Sequence, residues 1–353
     1  INSVISLYSN GQIQEALDSV EALIRDYPKE ALLFNISGVC YKASGQLDAA
    51  VESFEKALAI KPDYAEVNYN LGIVFMGLGQ LDEAVKSYEK ALTLKPNYAE
   101  AHYNLGIAFK KLDQLDTAVE HYEKAIAIQP DYAEAHNNLG NVLNDLGQLD
   151  DAVKSYEKAL TLKPNYTEAH NNLGNAFKKL GQLNDAVKSY EKTLTLKPED
   201  AETYSNLGIV YMQLNQTDVA LKCYKKALAI KPDYADAYAN RGNAMKRLKR
   251  MDEALASYES AIALDPELVF ILGDIYVTKL RLCIWDDLAS HLNELTSKVN
   301  NGEKALNPFI ALAVIDDPEI QRKAAEIYAN KEYPQSHVLP KIERYQKHKK
   351  IRI

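Results

Sequence analysis

Apolar residues recur along this chain in two alternating helical registers. Within residues 65–98, Leu71, Phe75 and Leu78 are spaced by four and three and share one face of a helix. Leu81, Ala84, Val85, Tyr88, Ala91 and Leu92 make a second apolar face. Gly79 falls between them, suited to the left-handed backbone that closes a helix. Pro96 ends the second helix. Asp63 precedes the first helix with Glu66 three residues on, the spacing of a capping box. Asn97 with Glu100, Asp131 with Glu134 and Asn165 with Glu168 repeat that device. The pattern predicts an antiparallel helix pair.

The pair is one copy of many. Pro62, Pro96, Pro130, Pro164, Pro198, Pro232 and Pro266 lie 34 residues apart. The same step separates Gly38, Gly72, Gly106, Gly140, Gly174, Gly208 and Gly242, and likewise Ala50, Ala84, Ala118, Ala152, Ala186, Ala220 and Ala254. Three residue types held at fixed offsets without an insertion predict an all-α solenoid of stacked helix pairs. Small residues such as Gly72 and Ala84 let helices cross closely. Tyr88, Tyr122, Tyr156, Tyr190, Tyr224 and Tyr258 share one position and are expected to fill the space between pairs. Seven full copies span residues 31–268, and residues 1–30 read as a partial copy.

The register fades after Pro266. Residues 269–301 read as a degenerate helix pair, with helices over 270–282 and 286–299. Residues 302–353 read as a helical cap with helices over 307–315 and 318–330, then a polar, extended linker. Terminal repeats of solenoids are normally atypical.

The Gly72, Ala84, Ala91 and Pro96 marks resemble the tetratricopeptide repeat family. That resemblance implies a right-handed superhelix whose concave groove is lined by the first helix of each pair. Residues 271–287 (ILGDIYVTKLRLCIWDD), 307–329 (NPFIALAVIDDPEIQRKAAEIYA) and the ending HKKIRI carry a second resemblance. They are similar to the junction before the catalytic domain in bacterial O-GlcNAc-transferase-like proteins, a layout shared with plant SPINDLY proteins and animal O-GlcNAc transferases. In that family the K-I-R-I run opens a two-lobed, Rossmann-like glycosyltransferase domain. The resemblance implies that this chain is the repeat part of such an enzyme, cut before its catalytic half, so no catalytic residue can be assigned within it.

Composition narrows the function classes. Hydrophobic residues make up 47% and charged residues 25%, ordinary values for a water-exposed protein. No run approaches the roughly eighteen apolar residues of a membrane span. A formal charge of −8 argues against a general nucleic-acid binder, including at the basic run Lys347, His348, Lys349, Lys350 and Arg352. Cys40, Cys223 and Cys283 are far apart and suit reduced, buried thiols in a cytoplasmic protein. No nucleophile–base set, metal cluster or phosphate loop stands out, so the chain reads as non-enzymatic and calls for no cofactor. His102, His136 and His170 share one position but sit a repeat apart, too distant for one metal ion, and read as packing residues.

The candidate chemistry is a row of amides. Asn70, Asn104, Asn138, Asn172, Asn206 and Asn240 occupy one first-helix position, two before the glycine. Asn is a mediocre helix former, so the row asks for a reason. An amide both donates and accepts, and one per repeat could grip the backbone of an extended polypeptide whatever its sequence. The animal transferases resemble this, with an asparagine ladder along the inner groove. The opposing reading is that each Asn is hydrogen-bonded within its own array. Ile36 takes the position in the first full copy. Lys110, Lys111, Lys178, Lys179, Lys246 and Arg247 end their first helices, where they could favour acidic segments or simply suit the helix dipole. Asn144 and Asp145 interrupt that row. Glu66, Glu100, Glu134, Glu168, Glu202 and Asp236 would repel a terminal carboxylate, which disfavours a chaperone-adaptor clamp. The alternative to a transferase module is a stand-alone scaffold that assembles other proteins. The sequence sets no oligomeric state.

Overall fold

Each 34-residue copy closes on itself through one contact repeated along the chain. A methyl group built on Gly72 would come within 2.5 Å of Tyr88 Cε1, and one on Gly106 within 2.6 Å of Tyr122 Cε1. Gly140 with Tyr156, Gly174 with Tyr190, Gly208 with Tyr224 and Gly242 with Tyr258 repeat the fit, and Gly38 meets Phe54. Only a hydrogen at the glycine leaves room for the ring. The sequence pattern placed these tyrosines between pairs. Their tightest contact lies instead inside the pair, across its two helices. Each ring is almost fully buried, and a buried tyrosine removes about 150–250 Å² from water. At Tyr156, Tyr190 and Tyr258 the hydroxyl donates to Asn141, Asn175 and Asn243, one residue after the glycine, at 2.7–2.8 Å.

The computed structural model describes residues 1–286 and 288–332. All regular structure among them is helical. The partial first copy is α1 (Asn2–Ser9) with α2 (Ile13–Asp26). Seven hairpins follow: α3 (Ala31–Ala43) with α4 (Leu47–Ile60), α5 (Ala65–Gly77) with α6 (Leu81–Leu94), α7 (Ala99–Lys111) with α8 (Leu115–Ile128), α9 (Ala133–Asp145) with α10 (Leu149–Leu162), α11 (Thr167–Lys179) with α12 (Leu183–Leu196), α13 (Ala201–Gln213) with α14 (Thr217–Ile230), and α15 (Ala235–Arg247) with α16 (Met251–Leu264). The atypical end holds α17 (Ile271–Arg281), α18 (Leu288–Asn300), α19 (Pro308–Val314) and α20 (Pro318–Glu332), close to the expected bounds. The extended linker and the HKKIRI ending of the sequence reading lie outside the described residues.

The bend between paired helices recurs on the same period. Gly11, Gly45, Gly79, Gly147 and Gly181 take φ of 74–78°. Asp113, Asn215, Lys249 and Cys283 hold the equivalent left-handed backbone at 56–62° without the freedom of glycine. Cys283, which the sequence reads as buried, is exposed at this turn, whereas Cys40 and Cys223 are buried as expected.

The capping boxes do not form. The N-cap residues of α5, α7, α9 and α11 are Tyr64, Tyr98, Tyr132 and Tyr166, none with a side-chain cap. The Asp or Asn of the sequence signature lies one residue too early. The tyrosine earns its place otherwise: Lys61, Lys95 and Lys163 set their ammonium groups 4.7, 4.1 and 4.5 Å above Tyr64, Tyr98 and Tyr166. Asp200 does cap α13, accepting from Thr203 N–H at 3.0 Å.

The chain divides into two compact units, Ile1–Pro198 and Glu199 onward. In the first, one apolar core runs from Ala84 and Tyr88 through Leu105, Leu139 and Tyr156 to Leu173 and Ala176. It crosses several hairpins, as expected when no pair can bury its own face alone. In the second, α15, α16 and α17 share a core around Tyr258, Ile271 and Ile275. Tyr276, Leu295, Leu306 and Ile320 tie α17 to α18, α19 and α20. Within the first unit, successive first helices α3, α5, α7, α9 and α11 approach one another more closely than successive second helices do. Elements crowd on the inner side of a curve, so the first helices line the concave side.

Candidate functional site

Asn70, Asn104, Asn138 and Asn172 of the amide row lie on that concave set of helices, and Asn206 and Asn240 lie on first helices of the second unit. All six asparagines are half-buried. Four of them donate to a residue 35 positions earlier, on the first helix of the preceding hairpin. Asn104 Nδ2 donates to the Tyr69 hydroxyl and Asn138 Nδ2 to the Tyr103 hydroxyl, both at 3.0 Å. Asn70 and Asn172 donate to Asn35 Oδ1 and Asn137 Oδ1 at 3.3 and 3.2 Å. In the second unit Asn206 has an interaction partner, and Asn240 lines a shallow cavity with Ile209, Met212, Asn243 and Arg247.

The sequence reading did not find the residues that aim the amides. Asn35, Tyr69, Tyr103 and Asn137 each stand just before the row's own position, so their 35-residue offset to the next amide was the available signal. Tyr69 and Tyr103 are themselves held by neighbouring rings, with centroids 4.8 Å from Tyr98 and Tyr132 respectively. Asn137 is fully buried and also donates to Glu168 at 3.2 Å. An amide carries two N–H donors and a carbonyl oxygen with two lone pairs. One such bond fixes its direction without exhausting it.

The helix-end cations are less available than their sequence suggests. Lys110 pairs with Asp145 at 3.1 Å, and Lys179 donates to Asn144 at 3.1 Å. The two residues that interrupt the basic row, both on α9, thus hold a lysine of the hairpin on either side. Lys246 meets Asp274 at 2.6 Å with only 30% and 19% of the two side chains exposed. Arg247 donates to Met212 O and to Asn215. Lys178 also has an interaction partner. Glu134 receives Lys163 at 2.9 Å, which lowers the Glu134 pKa.

The histidines take up packing positions in different ways. His136 and His170 donate from Nε2 to the carbonyls of Pro130 and Pro164, at 3.2 and 2.9 Å. His102 instead meets His121, Nδ1 to Nδ1, at 3.0 Å. Phe109 stacks on His121 with centroids 5.3 Å apart. Burial, the neighbouring His102 and Lys124 push the His121 pKa down to about 4.

This geometry defines an all-α repeat protein whose first helices carry a row of half-buried amides. The tetratricopeptide repeat model matches residues 38–79, 74–113, 108–147, 140–181, 174–215, 210–249 and 235–268. The chain belongs to the tetratricopeptide repeat family, and its array is a protein-interaction module. It is similar to the crystal structure of MamA, with 32% identity over 47% of this chain and 96% of that one, TM-score 0.45. It is similar to YrrB, described as a TPR protein with an unusual peptide-binding site, with 27% identity over 53% and 96% of the two chains, TM-score 0.48. The APC/C hetero-tetramer Cut9–Hcn1 shares the fold at 21% identity, 69% and 48% coverage and a TM-score of 0.54. Among curated proteins none is similar enough to match. No helix among the described residues is long and apolar enough to cross a membrane.

Proposed function

We propose that the array holds an extended polypeptide along its first helices, with Asn70, Asn104, Asn138 and Asn172 of the first unit gripping backbone and Asn206 and Asn240 extending the same chemistry in the second. One observation carries this reading. Each of the four amides is aimed by the preceding part of the array through a single donor bond, which is how a repeated, preorganised hydrogen-bonding surface is made. Backbone groups repeat along any peptide, so a row of amides reads them without regard to sequence. Lys110, Lys178 and Lys246 flank the row; since Lys110 and Lys246 already hold carboxylates, an acidic ligand has to displace Asp145 or Asp274 to reach them.

The finer reading is that the polypeptide is a substrate or adaptor of a protein O-GlcNAc-transferase-like enzyme. Its support is the resemblance of residues 271–287, 307–329 and the HKKIRI ending to the junction before such a catalytic domain. A coding sequence that continues past Ile353 into a glycosyltransferase domain supports it, and one that continues into anything else removes it. The binding reading has its own test. Asn138→Ala with Asn172→Ala is expected to weaken binding of a captured polypeptide roughly tenfold or more, since two backbone bonds of about 0.5–1.5 kcal/mol each are lost. An unchanged titration with an unchanged far-UV spectrum sinks the ladder.

A further inference from the structure

The hairpin after the last regular repeat reverses the pattern that closes the others. Counting 34 residues on from Gly242 reaches Tyr276, and 34 on from Tyr258 reaches Leu292. Bulk stands where the repeat needs glycine, and the ring is missing from the facing position. Leu295 likewise follows Ala261 at a position that is alanine in six of the seven full copies, Thr193 being the exception. A helix pair built this way cannot seat α18 on α17 as α16 seats on α15. What remains between α16, α17 and α18 is a cavity of about 190 Å³.

The cavity has an apolar wall and a polar rim. Ile262, Leu272, Ile275, Tyr276 and Leu295 supply the first. Glu259, Lys279, Glu294 and His291 supply the second, with Lys279 Nζ 4.0 Å from Glu259. His291 Nδ1 is shut off from solvent and has no hydrogen-bond partner. A buried nitrogen left without a partner costs free energy.

We propose that this cavity is a binding pocket for an uncharged phenolic ring. Its volume fits the class: an apolar cavity of about 150 Å³ takes a benzene ring, and the excess admits one hydroxyl and a small para substituent. A hydroxyl both donates and accepts, so it satisfies His291 Nδ1 in either imidazole tautomer. The two rim carboxylates against one ammonium disfavour an aromatic acid. The array itself shows the fit of such a group: in six hairpins a tyrosine ring fills the space between paired helices, and here the chain supplies none from α18.

The probe is p-cresol, titrated into the whole chain and followed by the side-chain methyl resonances of Ile262, Leu272, Ile275 and Leu295. The expected result is saturable shifts confined to those residues. Toluene is expected to bind roughly 3- to 10-fold more weakly, the worth of one net hydrogen bond, and benzoate more weakly still. His291→Phe is expected to erase the preference for p-cresol over toluene, and Ile262→Phe, which fills the cavity, to abolish both. N-acetyl-tyrosinamide separates the two sources of a phenol: binding comparable to p-cresol assigns the pocket to a tyrosine side chain of a partner, and binding of p-cresol alone assigns it to a small phenol. Absence of p-cresol shifts, equal binding of toluene in the native chain, or p-cresol binding that survives Ile262→Phe overturns the proposal. If either variant loses its helical spectrum, the comparison of p-cresol, toluene and benzoate on the native chain decides alone.

Discussion

Replacing Gly140 by alanine opposes two effects of known size. In a helix interior alanine is favoured over glycine by about 1 kcal/mol, so the substitution stabilises a helix with open space beside it. Here the new methyl group would stand 2.6 Å from Tyr156 Cε1, 2.8 Å from Cδ1 and 3.0 Å from Cζ. The ring cannot swing aside cheaply. It is 1% exposed, and its hydroxyl is tied to Asn141 Oδ1 at 2.8 Å, on the residue next to the glycine. Overpacking of this kind costs about 1–3 kcal/mol, and loss of the hydroxyl bond adds about 1 kcal/mol. The net expectation is a loss of roughly 1–3 kcal/mol, read as a lower urea midpoint by far-UV circular dichroism. The stronger check is a double-mutant cycle. In a Tyr156→Ala background the clash is gone, so Gly140→Ala is expected to stabilise by about 1 kcal/mol, and the coupling between the sites to exceed about 2 kcal/mol. A Gly140→Ala chain as stable as the parent in both backgrounds refutes the claim that the ring dictates the glycine.

Three further outcomes follow from other contacts. The folded state holds a proton on His121 less tightly than the unfolded chain, about 4 against an ordinary value near 6.5. The unfolded chain therefore binds more protons across that window, so stability present above about pH 6.5 falls as pH drops toward 4. His121→Ser, the residue found at this position in neighbouring copies as Ser87 and Ser155, is expected to narrow the difference between urea midpoints at pH 7 and pH 5, and an unchanged difference contradicts the assignment. Lys249→Gly is expected to stabilise by about 0.5–1 kcal/mol, because Lys249 holds φ of 61° and left-handed backbone costs a non-glycine residue about 1–2 kcal/mol before glycine's extra chain entropy is subtracted. Asp274→Asn leaves the half-buried Lys246 ammonium without its carboxylate at 2.6 Å, so a lower thermal midpoint is expected, and no shift means the pair is solvated in practice.

The spacing of glycine, alanine and proline is enough to read the helix pairs and their bounds, because the same backbone solution is used again every 34 residues. It does not say which members of the repeat touch. Gly72 and Tyr88 are both visible as marks, but their contact depends on how two helices are rotated about their own axes, which a period does not encode. The capping signature misleads for a related reason. Asp63 and Glu66 have the right separation, but the turn after Pro62 places Tyr64 at the helix start, where Lys61 covers its ring. The amide row is visible as a column of identical residues. The residues that aim it, Asn35, Tyr69, Tyr103 and Asn137, change identity from copy to copy and keep only the ability to accept a hydrogen bond from an amide. The reversed pair Tyr276 and Leu292 could have been found by carrying the register past the point where its familiar marks stop.

That aiming has a directional result. The orientation of Asn138 is set by Tyr103, and Tyr103 leans on Tyr132 near the start of the same helix as Asn138. A rung thus takes its bearing from its neighbour and not from its own hairpin alone. A small slide of one helix pair against the next therefore turns the amide as well as moving it, so stretching or bending within the first unit changes which way its rungs point.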